Sequence, residues 1–178
     1  MGAAISASAL TGLLQGCKAT PELTYVPQFF SEDQARIIME VAEIIIPKTE
    51  TPGAKDAGVP GFIDTMLKDC YKKEDQDRFL AGLTAFDEQA KSAYGDNFIY
   101  CQAKEQVELV KKTHDAAIAE AKENRDAKRP FILMTKELTL LGFFTSEPGA
   151  TQVLQYEAVP GAYHGCVPLA EVGRTWAT

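Results

Sequence analysis

A segment near the C-terminal end of the chain constrains the fold most, because it is apolar nearly all round. Over residues 130–144 the apolar side chains do not keep to one face of the predicted helix. These apolar residues are Phe131, Ile132, Leu133, Met134, Leu138, Leu140, Leu141, Phe143 and Phe144. A helix of this kind is either central to the core or covered by a partner.

The segments before it show the apolar spacing of amphipathic helices. The first begins at a capping box, in which Ser31 is the N-cap and Gln34 reaches back, and it ends at Pro47. The next predicted helices cover roughly residues 62–71, 74–93 and 98–124. After Ser146 the chain is irregular, and no β-rich region is evident. The sequence therefore predicts an all-α fold, a compact bundle of about five helices within a domain of residues 29–178, with an irregular C-terminal tail.

The beginning of the chain has the character of an export signal. Residues 1–16 carry no charge, and the stretch Leu13-Leu14-Gln15-Gly16-Cys17 resembles a bacterial lipobox. In such sequences the peptide is cut before the cysteine and lipid is attached to its thiol. We therefore predict a signal over residues 1–17, lipidation of Cys17, and a polar linker over residues 18–28.

This interpretation places the domain in the periplasm, anchored by lipid to a membrane of a bacterial envelope. No Lys or Arg precedes Lys18, and we therefore expect an Arg-rich segment of the twin-arginine type upstream of Met1. The alternative is a disordered tail with an incidental cysteine.

Charge and residue types exclude several classes of function. The 178 residues carry a net charge of −7, whereas a nucleic-acid-binding protein needs a basic face. The chain has no Gly-x-Gly-x-x-Gly fingerprint, no Walker loop and no Cys-x-x-Cys-His motif. His114 lies on an apolar helix stripe, and His164 with Cys166 supplies only two of the ligands that a metal site needs. The sequence predicts no catalytic residue, cofactor-binding residue or metal ligand.

The cysteines left after lipidation of Cys17 allow one internal disulfide in an oxidising compartment. A bond from Cys166 to either Cys70 or Cys101 would attach the irregular tail to the helices. In the alternative all three are buried, reduced thiols. The sequence does not choose between them.

Several stretches, in this order, together resemble the gluconate 2-dehydrogenase subunit 3 family. They extend from about Phe29 to Pro168, nearly the whole predicted domain. The matching stretches are Phe29-Phe30-Ser31, Ile44-Ile45-Ile46-Pro47, Thr51 to Val59, Phe62-Ile63-Asp64, Gly82-Leu83, Phe86-Asp87, Tyr94 to Phe98, Gly142 to Ser146, Tyr156, Val159 to Tyr163 and Gly165-Cys166.

The resemblance implies a non-catalytic small subunit of a periplasmic, flavin-dependent sugar dehydrogenase. Its partner would be a large flavoprotein of the glucose-methanol-choline type, which holds the FAD and which the small subunit stabilises and escorts across the membrane. A multihaem cytochrome c often accepts the electrons in such complexes. The sugar stays open among gluconate, glucose and glycosides, because specificity would reside in the large subunit.

Two regions are the predicted docking surfaces for this partner. One is the apolar helix, with Phe131, Leu138, Phe143 and Phe144, and the other is the tail, with Tyr156, Tyr163 and Trp176. In the alternative, these aromatics only cover the chain's own core. The alternative to the dehydrogenase subunit is a free-standing envelope lipoprotein that binds another protein or a small ligand. An enzyme with its own active site is a third hypothesis and has the least support in the sequence.

Overall fold

The structure is a computed structural model that describes residues 20–124, 127–159, 161–162 and 165–177. Five helices of twelve or more residues form the bundle, and short helical turns accompany them. The long helices are α1 (Glu32–Ile45), α2 (Val59–Cys70), α3 (Lys73–Tyr94), α4 (Ala103–Glu123) and α5 (Phe131–Phe144). The predicted all-α bundle is thereby confirmed, and the β pairing found within the described residues is one isolated bridge.

Local sequence signals set the starts of α1 and α2. The capping box of α1 is present, since the Gln34 amide donates to Ser31 Oγ at 3.3 Å and the Ser31 amide donates to Gln34 Oε1 at 3.0 Å. Helix α2 begins at Val59, three residues before the predicted start at 62. Gly58 ends the preceding loop with a φ of 71°, and Pro60 fits the first turn because that turn needs no amide donor there.

The predicted fourth helix was wrong at its start, because Asp87 fixes the backbone before α4. The Asp87 carboxylate accepts hydrogen bonds from the Phe98 amide at 2.7 Å and from Asn97 Nδ2 at 2.6 Å. Phe98–Tyr100 consequently forms a separate 3₁₀ turn, and the Phe98 ring is buried 4.8 Å from the ring of Phe86. Helix α4 then begins at Ala103.

Helix α5 lies at the centre of the bundle and contacts each of α1 to α4. Two glycines allow the neighbouring helices to approach closely. A Cβ added to Gly82 on α3 would lie 2.5 Å from Cβ of Phe131, and one added to Gly142 on α5 would lie 2.6 Å from Cδ1 of Phe62 on α2. The sequence allowed this helix to be either central to the core or covered by a partner. The structure shows that most of its side chains lie in the core.

Buried or half-buried carboxylates fix the connections between helices. The Asp64 carboxylate on α2 accepts from the amides of Gln28, Phe29 and Phe30, where the linker enters the domain. Glu43 on α1 accepts from the amides of Lys48 and Lys55 at 2.9 Å each, and this holds the loop before α2 against α1. Asp64 belongs to a stretch that carried the family resemblance, and in this structure its role is to shape the fold.

No helix within the described residues is long and apolar enough to cross a membrane. The predicted signal over residues 1–17, with the lipidation site Cys17, lies outside those residues and stays a prediction.

Candidate partner-binding surface

One side of α5 reaches the protein surface. Leu140, Leu141 and Phe144 are 37%, 47% and 39% exposed, while Lys136 and Glu137 mark the same side one turn earlier. Leu140, Leu141 and Phe144 follow Glu137 at the helical spacings of three, four and seven residues. The two charged residues are the signal in the sequence that could have identified this stripe. We call Leu140, Leu141 and Phe144 the α5 stripe.

Of the four docking residues predicted on this helix, only Phe144 belongs to the stripe. Phe131, Leu138 and Phe143 are 2–3% exposed and lie in the core of the chain itself. Phe131, for example, packs its ring 5.1 Å from that of Phe79 on α3. For these three residues the predicted partner contact needs correction, because a partner could reach them only by opening the bundle.

The tail is fixed to the C-terminal end of α5 by a short π-helical turn, Gly149–Val153. Ser146 Oγ donates to the Phe143 carbonyl at 2.6 Å and accepts from the Gly149 amide at 3.1 Å. A Cβ on Gly149 would lie 1.8 Å from the Phe143 carbonyl oxygen, so only glycine fits there. The tail therefore leaves the bundle beside Phe144 in a defined direction.

Beyond the π turn the tail closes into a loop on the surface. The Gln155 amide donates to the Thr175 carbonyl at 2.8 Å, and the Ala177 amide donates to the Gln155 carbonyl at 2.9 Å. Within the loop lies a short helix, α6 (Leu169–Val172). We call residues 155–177 the tail loop. Its two ends are held together by this pairing of Gln155 with residues 175–177.

Large apolar side chains on the tail loop are left in solvent. Tyr156 is 59% exposed, Trp176 is 45% exposed and Leu169 is 87% exposed. Among the described residues from 156 to 174, all except Val172 are exposed. The predicted docking residue Tyr163 lies outside the described residues. These exposed apolar groups make the tail loop a candidate surface for a partner protein.

The cysteines are not all buried, as one of the two alternatives from the sequence required. Cys70 and Cys166 are exposed thiols, and Cys101 is half-buried with its Sγ 3.5 Å from the carbonyl oxygens of Asp96 and Asn97. A bond from Cys166 to Cys70 or Cys101 in the oxidised protein stays a prediction.

The buried and half-buried polar side chains contact other groups of this chain. Across the described ranges, no three side chains of His, Cys, Asp and Glu converge in a way that could hold a metal ion. His114 is half-buried between Asp115 and Lys136 rather than near a nucleophile. Burial, and next the charge of Asp64, raise the pKa of the Tyr25 phenol well above its usual value.

The comparison with known families agrees with this architecture. The family described as gluconate 2-dehydrogenase subunit 3 matches residues 32–161, which include all five long helices and the π turn. The chain belongs to this family. The resemblance that the ordered stretches indicated is thereby confirmed. The family description identifies the chain as a subunit of a dehydrogenase complex. No curated protein and no solved structure matches the chain significantly.

Proposed function

We propose that this chain is the non-catalytic small subunit of a flavin-dependent sugar dehydrogenase in a bacterial envelope. It binds a large flavoprotein of the glucose-methanol-choline type, stabilises it and escorts its export. The FAD and the sugar site belong to that flavoprotein, and a multihaem cytochrome c subunit receives the electrons. The observation that carries the proposal is the family membership over residues 32–161.

The exposed apolar surface supports the proposal. The α5 stripe ends at Phe144, and the π turn that leads to the tail loop begins five residues later at Gly149. We infer that the flavoprotein covers both regions, with Tyr156 and Trp176 as aromatic anchors. Burial of such side chains at an interface contributes about 25 cal/mol per Å² of apolar surface, before the cost of ordering the loop is subtracted.

The N-terminal region completes the proposal. The lipobox-like sequence ending at Cys17 is the export signal and the attachment point of the lipid anchor, and residues 18–28 are the tether. Asp64 then fixes the end of that tether to the bundle through three backbone amides. This arrangement would hold the flavoprotein beside the membrane without a membrane-spanning helix.

Co-expression tests the proposal. The chain, with its own upstream codons and a C-terminal affinity tag, is produced together with the large flavoprotein encoded beside it. We expect flavin absorbance and dye-linked sugar oxidation to co-purify with the tag from the envelope fraction. Without the chain, the flavoprotein should stay in the cytoplasm or be degraded.

One control separates attachment to the membrane from binding of the flavoprotein. A Cys17→Ser variant should still bind the flavoprotein and should release the complex from the membrane into the soluble envelope fraction. If the tagged chain purifies without flavin and the flavoprotein is exported equally well in its absence, the subunit function is wrong. A free-standing envelope lipoprotein would then be the better explanation.

A further inference from the structure

A half-open cavity of about 300 Å³ lies where α1, α4 and α5 meet. Its apolar lining comes from Ile44 and Ile45 at the end of α1, Val107 and Val110 on α4, and Ile132 on α5. Val110 and Ile132 are buried, and Val107 is half-exposed. The cavity therefore has an apolar floor that is accessible from solvent, as small-molecule sites commonly do.

All the charged groups that line this cavity are basic. The basic residues in the lining are Lys111 and His114 on α4 and Lys136 on α5. This is unusual in a chain with 25 acidic and 18 basic residues. Within the described residues, neither lysine forms an ion pair with a carboxylate.

The contacts of His114 show that Lys136 can still donate to a ligand. Lys136 Nζ lies 3.0 Å from His114 Nε2, and His114 Nδ1 lies 3.2 Å from Asp115 Oδ1. Since an ammonium only donates, Nε2 is the acceptor and the ring proton is on Nδ1, facing the carboxylate. Lys136 uses one of its three N–H groups on the histidine and has two left for an anion.

We propose that this cavity binds an amphipathic monoanion, a short aliphatic chain with a carboxylate head. The carboxylate would accept from Lys111 and Lys136, and the chain would lie on the isoleucine and valine floor. A cavity of about 300 Å³ is at the lower end of the volumes of small-molecule sites, and octanoate is a short aliphatic carboxylate suited to it. Neither the family membership nor the proposed subunit function assigns this site.

Titration of the full chain carrying Cys17→Ser, so that no lipid is attached, tests the proposal by methyl NMR. Octanoate should shift the methyl signals of Ile44, Val110 and Ile132 in a saturable way. Octylammonium, which has the same chain and the opposite charge, and acetate, which has the head alone, should not do so at the same concentration. Equal binding of octylammonium, or no saturable shift at these methyls, would overturn the proposal.

Matched variants locate the site. The double variant Lys111→Gln, Lys136→Gln should bind octanoate about tenfold more weakly, because two solvent-accessible charge contacts are lost. Lys112→Gln removes the same charge one residue along α4, outside the lining, and should leave affinity unchanged. Val107→Phe fills the mouth at a half-exposed position and should abolish binding while the circular dichroism spectrum stays helical. Unchanged affinity in the double variant or in Val107→Phe contradicts the site.

Discussion

Replacement of Asp64 by alanine is the sharpest test of how the tether is fixed to the bundle. The Asp64 side chain is 1% exposed. Its oxygens accept from the Gln28 amide at 2.7 Å, the Phe29 amide at 3.2 Å and the Phe30 amide at 3.0 Å. Three successive N–H groups before α1 thus depend on one carboxylate that lies 34–36 residues away in the sequence.

The expected loss of stability is about 3 kcal/mol. Gln28 is exposed, so water can satisfy its amide once the carboxylate is gone, whereas Phe29 is half-buried and Phe30 is buried. Two donors are therefore left without a partner, at about 1–3 kcal/mol each. The relief of no longer burying a charge offsets part of this cost. The result would be a large fraction of the roughly 5–15 kcal/mol by which domains of this size are stable.

Urea unfolding followed by circular dichroism measures the change. Asp69→Ala is the matched control, because it removes the same charge from an exposed position on the same helix, and it should change stability by less than about 0.5 kcal/mol. Hydrogen exchange at the amides of Phe29 and Phe30 should accelerate in Asp64→Ala alone. The reasoning is refuted if Asp64→Ala is as stable as Asp69→Ala and these amides stay protected.

Three further predictions concern packing, charge and the partner. Gly82→Ala places a Cβ 2.5 Å from Cβ of Phe131 and should lower the free energy of unfolding by about 1–3 kcal/mol, as urea unfolding would measure. The Lys48 ammonium holds the pKa of Asp56 below its ordinary value of 3.8. The ion pair therefore contributes above that value and is lost as the pH falls below it, and Lys48→Gln should raise the pKa of Asp56 in a carboxyl NMR titration. Leu141→Ser on the α5 stripe should weaken co-purification of the flavoprotein while leaving the thermal midpoint of the isolated chain nearly unchanged, since Leu141 is 47% exposed.

Each of these has a control of the same chemistry elsewhere in the chain. Gly161→Ala meets open space and should not alter stability. Lys73→Gln breaks the ion pair with Asp77 and should leave the titration of Asp56 as it was. Val26→Ser changes an apolar side chain that is 85% exposed in the linker and should keep the flavoprotein bound. A Leu141→Ser chain that co-purifies as well as Val26→Ser would remove the α5 stripe from the proposed interface.

Most of the helices could be predicted because their signals are local. The capping box at Ser31 and the apolar spacing on α3 lie within a few turns of the backbone that they shape. The start of α4 was missed for the opposite reason. Phe98 fits a helical stripe in the sequence, but Asp87 on another helix holds its amide and its ring packs on Phe86.

The candidate surface was only partly predictable. Its apolar content is visible in the sequence, but burial depends on which neighbours surround α5. Phe143 and Phe144 are adjacent and identical in type, and they are 2% and 39% exposed. The closure of the tail loop depends on a pairing between Gln155 and Trp176, and the cavity near Lys136 depends on three helices. Neither leaves a periodic trace in the sequence.

The sequence by itself determined the helical class, the family and the acidic charge, because periodicity, ordered motifs and composition are properties of the chain alone. The tertiary structure decided that the most apolar helix is the centre of the chain's own core and that the α5 stripe and the tail loop leave large apolar side chains in solvent. The physical reason is that an apolar side chain favours any contact that removes it from water. Whether its own chain or a partner supplies that contact depends on how the helices pack around it.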